Sequence, residues 1–146
     1  MKITILAVGK MKETYFAQAT NEYHQRLKNY GEITIDELPD EANDERIKQR
    51  LQHPSLNNAV KIALSITGKR FTSAQLASYV QNERDKSRRL VFVIGGSEGL
   101  SEGILQLCPL HISFSDMTFP HRLFRVMLLE QLYRACKIIT NEPYHK

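Results

Sequence analysis

Three stretches of the chain concentrate groups suited to binding or proton transfer. The first is Val91-Phe92-Val93-Ile94-Gly95-Gly96-Ser97-Glu98-Gly99-Leu100. Its continuous apolar run reads as a strand buried on both faces. A glycine-rich turn after such a strand is where open α/β sheets bind ligands, because glycine lets a backbone approach closely. The spacing is not G-x-G-x-x-G, and a plain tight turn accounts for the same residues. The second stretch is Ile112-Ser113-Phe114-Ser115-Asp116-Met117-Thr118-Phe119-Pro120-His121. Its small polar residues could lay backbone N–H and C=O groups along the edge of an adenine. The free N–H groups of the helix that follows could meet a carboxylate or phosphate. A helix start with Thr118 as N-cap accounts for Thr118 and Pro120, though not for the whole run. The third stretch is Asn141–Lys146, the C-terminal end. Tyr144, His145 and Lys146 could stack on a base, donate to it and touch a phosphate. A frayed terminus is the competing reading.

The elements that must position these stretches follow from periodicity. Alternation and β-branching predict strands over 2–8, 32–38, 59–66, 90–94 and 110–114. Helical spacing predicts helices over 12–28, 43–52, 73–82, about 101–107 and 119–139. Tyr15, Phe16, Ala19, Tyr23 and Leu27 form the apolar face of the first helix. Pro39 stops the second strand, Gly68 ends the third, and Pro120 sits where a helix starts well. Strands alternate with helices throughout. This predicts one α/β domain over residues 1–146, a mostly parallel sheet flanked by helices. The last helix is apolar most of the way round. It is either a central core helix or one shared between the core and a dimer interface. Glu130 and Arg134, four residues apart on it, are spaced to pair.

Composition narrows the class. Apolar residues make up 42% of the chain and charged residues 25%, which suits a soluble globular protein rather than a disordered one. No apolar run approaches the roughly 20 residues that cross a bilayer, and the first strand is too short for a secretory signal. The expectation is a cytoplasmic protein without a membrane partner. The net charge of +4 is uneven: residues 61–100 hold 7 basic and 3 acidic side chains. Lys69-Arg70 and the run Arg84, Lys86, Arg88 and Arg89 could neutralise phosphates, or could be a solvated helix end. Cys108 and Cys136 lack ligand spacing, so they read as small buried hydrophobes and no metal is expected.

The start MKITILAVGK, the middle FVIGGSEGL and the end SFSDMTFPHRLFRVMLLEQLYRACKIITNEPYHK closely resemble the ribosomal RNA large-subunit methyltransferase H family. That family lies within the SPOUT superfamily of knotted methyltransferases. The resemblance implies a Rossmann-like sheet whose C-terminal part is threaded into a trefoil knot, which periodicity does not reveal. It implies a cytoplasmic homodimer that uses S-adenosyl-L-methionine, without a metal. The implied reaction is methylation of N3 of a pseudouridine in a 23S rRNA stem-loop on the assembled 70S ribosome. By match, Leu64, Gly95 and the residues Phe114, Ser115, Asp116, Met117, Thr118 and Phe119 bind the cofactor. Tyr144, His145 and Lys146 match the family's substrate-side tail. His121 and Arg125 fall on its active-site wall, with Arg122 beside them on the RNA side. Between Pro39 and Val60 the chain is shorter than its family by around a dozen residues, which bears on RNA docking more than on methyl transfer.

The pseudouridine N3 carries a proton when neutral, so a base near neutrality would help, and His121 and His145 are the candidates. Arg125 could stabilise the anion developing at N3 and its carbonyls. A non-catalytic ribosome-binding module would share the basic residues without needing the two loops. A small nucleotide-binding enzyme of other chemistry is the remaining alternative, against which the missing phosphate-loop patterns count.

Overall fold

In the computed structural model, which describes residues 1–146, the predicted strands form one five-stranded parallel sheet. They are β1 (Lys2–Val8), β2 (Glu32–Leu38), β3 (Val60–Arg70), β4 (Leu90–Ile94) and β5 (Leu110–Ser113). Their order across the sheet is β2-β1-β4-β3-β5. The helices are α1 (Thr14–Leu27), α2 (Asp44–Leu51), α3 (Ser73–Asp85), α4 (Glu102–Leu105) and α5 (His121–Ile139). Parallel neighbours need crossovers, and crossover helices cover both sheet faces. Every residue of β4, and Ile3 to Val8 of β1, is accordingly buried. On one face Ile5, Ile62 and Phe92 pack with Leu27 of α1, Val80 of α3, and Leu128 and Leu132 of α5. On the other, Leu6, Val91 and Val93 pack with Ile47 and Leu51 of α2 and Ile104 of α4.

Polar side chains cap the starts of α2 and α3. The Asn43 side chain accepts from Arg46 N at 3.0 Å, and Thr72 and Gln75 form a reciprocal capping box. Glu130 and Arg134 pair at 2.5 Å, as their spacing predicts. Cys108 and Cys136 are free and buried, and burial pushes both thiols up to about 11, so they are unreactive.

Four expectations are corrected. β3 does not end at Gly68 but runs on to Arg70, and Leu64 and Lys69 both register with Ile112 of β5. A Cβ at Gly68 would stand 2.7 Å from backbone atoms of His111 and Ile112, so this glycine marks a close backbone crossing. α5 starts at His121 rather than Phe119. Pro120 is its N-cap, with φ −54° and ψ 134°, so Thr118 plays no capping part. Tyr15 does not join the buried face of α1; it is 65% exposed and leans on Phe16. The basic run at 84–89 is mostly exposed, but its charges are paired with carboxylates. Lys86 and Arg88 hold the buried carboxylate of Glu83, and Arg89 bonds Glu32 and Thr4. Arg70 likewise pairs with Asp116.

Phe92 is fully buried at the centre of this arrangement. Phe92→Ala is expected to lower unfolding free energy by about 3–5 kcal/mol, through lost burial and the void left behind. Urea denaturation followed by circular dichroism measures it.

Candidate active site

Each parallel strand delivers its following loop to the same edge of the sheet, and there a cleft of about 380 Å³ opens. Its walls come from Leu64 to Ile66 of β3, from Ile94 to Leu100 after β4, and from Ser113 to Phe119 after β5. The turn after β4 folds on itself. Gly99 N donates to Gly96 O at 3.0 Å, and Gly99 takes φ +72°. A Cβ on Gly95 would fall 2.4 Å from the Gly99 carbonyl carbon, so no side chain fits there. Backbone, not side chain, therefore faces a ligand at this wall.

The loop after β5 is held by its own serines. Ser113 Oγ donates to Ser115 O at 2.9 Å, and Ser115 Oγ accepts from Met117 N at 3.0 Å. The Phe114 and Phe119 rings pack against Phe124 of α5, edge-on at 4.7 Å and stacked at 6.2 Å respectively. These contacts tie the loop to the helix that follows. Met117, 73% exposed, stands at the mouth.

His121 opens α5 and lines the cleft. Burial, with Arg122 and Arg125 nearby, lowers its pKa below the ordinary imidazole value, and Asp40 and Glu13 oppose that shift. The imidazole is thus neutral, and able to take a proton, to a lower pH than a free histidine.

The fold brings together Leu64, Gly95, Phe114, Ser115, Met117, Thr118, Phe119 and His121. The other candidates lie elsewhere. Asp116 turns outward to Arg70. Arg122 reaches back to Lys10 O at 2.9 Å and to Asp40. Arg125 was expected to meet substrate, yet its side chain is 1% exposed and is not among the residues lining the cleft. It donates to Glu37 at 2.5 Å and to Gly9 O at 2.6 Å, because a buried guanidinium needs an anion and acceptors around it. The tail also lies apart. Tyr144 OH bonds Glu130 at 3.0 Å, and His145 Nδ1 sits 3.3 Å from Arg134. At 1.5 Å per residue this is roughly 14–20 Å along α5 from His121. Sequence reasoning missed Ser65, Ile66, Phe124, Glu37 and Asp40. The first two lie in the predicted third strand beside Leu64, while Glu37 comes from β2 and Asp40 from just after it, which no motif marked.

A backbone-walled cleft at the carboxyl edge of a parallel sheet defines an α/β enzyme that takes a nucleotide-like ligand. Comparison with known proteins makes that class specific. The family model described as "Predicted SPOUT methyltransferase" matches residues 1–145. The ribosomal RNA large subunit methyltransferase H 1 of Clostridium perfringens is 43% identical, over the full length of both chains. Among solved structures, a probable methylase family protein from Haemophilus influenzae superposes with TM-score 0.62 at 13% identity, covering 99% of this chain and 70% of that one. The SpoU methyltransferase AviRb from Streptomyces viridochromogenes, in complex with the cofactor AdoMet, gives TM-score 0.53 at 10% identity, covering 97% and 59%. The chain belongs to the SPOUT methyltransferases, and within them to the ribosomal RNA large subunit methyltransferase H family. No helix is long and apolar enough to cross a membrane, and no group of three or more His, Cys, Asp or Glu side chains is arranged to hold a metal ion.

The Arg125–Glu37 pair underlies this edge. Glu37→Ala would leave a buried cation with one acceptor, and is expected to cost about 2–3 kcal/mol, less than a fully buried pair because Glu37 is partly exposed. Chemical denaturation reads that loss, and Glu37→Gln should recover part of it.

Proposed function

We propose that this chain transfers a methyl group from S-adenosyl-L-methionine to N3 of a pseudouridine in a 23S rRNA stem-loop, on the assembled 70S ribosome. The observation that carries the reading is that the loops after β4 and β5 share one cleft with Leu64 of β3 and with His121 on its wall. The residues suit the cofactor. The cleft falls within the roughly 300–1,000 Å³ of small-ligand sites. Gly95 has no room for a side chain, so the backbone can border an adenine edge. Leu64, Phe114 and Phe119 supply apolar walls, and Ser115, Met117 and Thr118 supply loop N–H and C=O groups. Asp116 acts from outside, through Arg70.

The bound cofactor supplies an activated methyl, so the protein's task is alignment and proton removal. His121 accepts the N3 proton while the N3 lone pair forms the bond to the methyl carbon and the methyl–sulfur bond breaks. Arg125 serves as an anchor for this edge rather than as an anion stabiliser. The domain spans residues 1–146, with the C-terminal part threaded as a trefoil knot, a reading supported by the match to the SPOUT methyltransferase model. Its place of action is the cytoplasm, where ribosomes are.

The tail points to a homodimer. Tyr144, His145 and Lys146 lie too far along α5 to reach their own chain's His121, so the substrate-side tail serves the cleft of a second copy, with Arg122 on the RNA side of each site. An apolar groove of about 480 Å³ between α1, α3 and α5 adjoins the cleft through Phe114 and Phe119, and offers that copy a seat.

Calorimetry with S-adenosyl-L-methionine should show binding that Gly95→Val abolishes. Radiolabelled methyl transfer to 70S ribosomes should fall roughly 10²–10⁴-fold in His121→Ala. A chain ending at Pro143 should bind the cofactor and fail to transfer. Mixing that chain with His121→Ala should restore activity, since one site in each mixed dimer is whole. RNA binding without cofactor binding would overturn the reading.

A further inference from the structure

We propose that Asp40 is a positioning residue for His121: facing the imidazole across Gly9, its charge favours the Nε2–H tautomer and leaves Nδ1 as the proton acceptor. This rests on the reading of His121 as the base. Gly9 ends β1 with φ +96°. A Cβ built on it would stand 2.9 Å from Asp40 Oδ1 and 3.2 Å from His121 Nε2. The carboxylate and the ring nitrogen thus approach one point from two sides, and only a glycine leaves that point open. The positive φ removes any alternative residue at the same position.

Asp40 is itself well fixed. It accepts from Lys10 N at 3.2 Å and from Arg122 at 3.3 Å, and pairs with Lys12. The Lys12 and Lys10 bonds hold its carboxyl below the usual carboxylate range, so it stays ionised. Nε2 is the nitrogen on the Asp40 side, and a nearby anion favours the proton there. The proton leaving N3 then travels to Nδ1, and the imidazolium formed is stabilised by Asp40. Other charges face the ring as well. Arg122 and Arg125 come from α5, Glu13 from the start of α1, and Lys10 and Lys12 from the loop after β1, while Glu98 lies on the wall opposite. The arginines depress proton affinity, and Asp40 is the carboxylate that counters them at Nε2.

The expected outcomes follow from charge. Asp40→Asn keeps the shape and removes the anion. His121 then binds protons less tightly, so the acid limb of the pH profile for methyl transfer moves to lower pH. A weaker base also lowers the plateau rate, by about three- to tenfold, with the KM for S-adenosyl-L-methionine unchanged. Asp40→Glu should return the limb toward its wild-type position. Nitrogen-15 NMR of the wild-type chain reads the tautomer without any turnover, and should report the Nε2–H form of His121. An Nδ1–H tautomer, or an Asp40→Asn profile superimposable on wild type, overturns the proposal. Wild-type protein that binds the cofactor but never methylates ribosomes would instead overturn the function on which it rests.

Discussion

Arg125 carries its charge into the interior at the point where three segments of chain end. Its terminal nitrogens reach Glu37 and the Gly9 carbonyl, and Glu37 also accepts from Met11 N at 2.9 Å. Gly9 N in turn donates to Leu38 O at 2.9 Å. The end of β1, the end of β2 and the first turn of α5 are therefore one hydrogen-bonded unit. Removing a guanidinium from water is costly unless such partners are fixed in place, so the pair tolerates little movement. That constraint passes to the cleft. The loop from Phe114 to Pro120 hangs between β5 and α5, and once α5 is pinned its course is short of alternatives.

Where the sequence could be read, local and long-range preferences agreed. Leu90–Ile94 is apolar throughout, and it is a strand covered on both faces. Thr72 and Gln75 have capping-box spacing and form that box. Reading failed where geometry depends on a neighbour distant in sequence. Gly68 looked like a strand end because a glycine usually is one, but its meaning is set by the β5 backbone lying against it. Thr118 looked like a cap, yet the extended geometry at Pro120 keeps residues 118–120 out of the helix. Arg125 looked like a catalytic cation, since periodicity gives no sign that a carboxylate from β2 will meet it. The basic run at 84–89 left phosphate binding and a solvated helix end both open, with its partners Glu83 and Glu32 out of view.

α5 explains why the two candidate histidines cannot serve one site in one chain. His121 begins the helix, and the tail that follows its end folds back only as far as Glu130 and Arg134. The tail is well fixed there, with Arg134 4.8 Å over the Tyr144 ring and Tyr133 edge-on to it at 5.0 Å. Burial and the bond to Glu130 push the Tyr144 hydroxyl up to about 12, so it stays a neutral donor. A terminus held by this many contacts is not a frayed end. The helix thus holds the cleft at one end and the tail at the other on one rigid rod.

The length of the chain fits the same division of labour. Alignment to the Clostridium perfringens relative spans 159 positions, against 146 residues here. The segment read as short, between Pro39 and Val60, forms α2 and the turn after it. Ile47, Leu51 and Leu56 still cover the sheet face opposite α5. Asp40, at the near end of that segment, is fixed by Lys10, Lys12 and Arg122, all outside it. A change of length beyond Asp40 therefore alters what covers the far face and what surface is shown to a ribosome. It leaves untouched the bonds that place α5, and with them the geometry of the cleft.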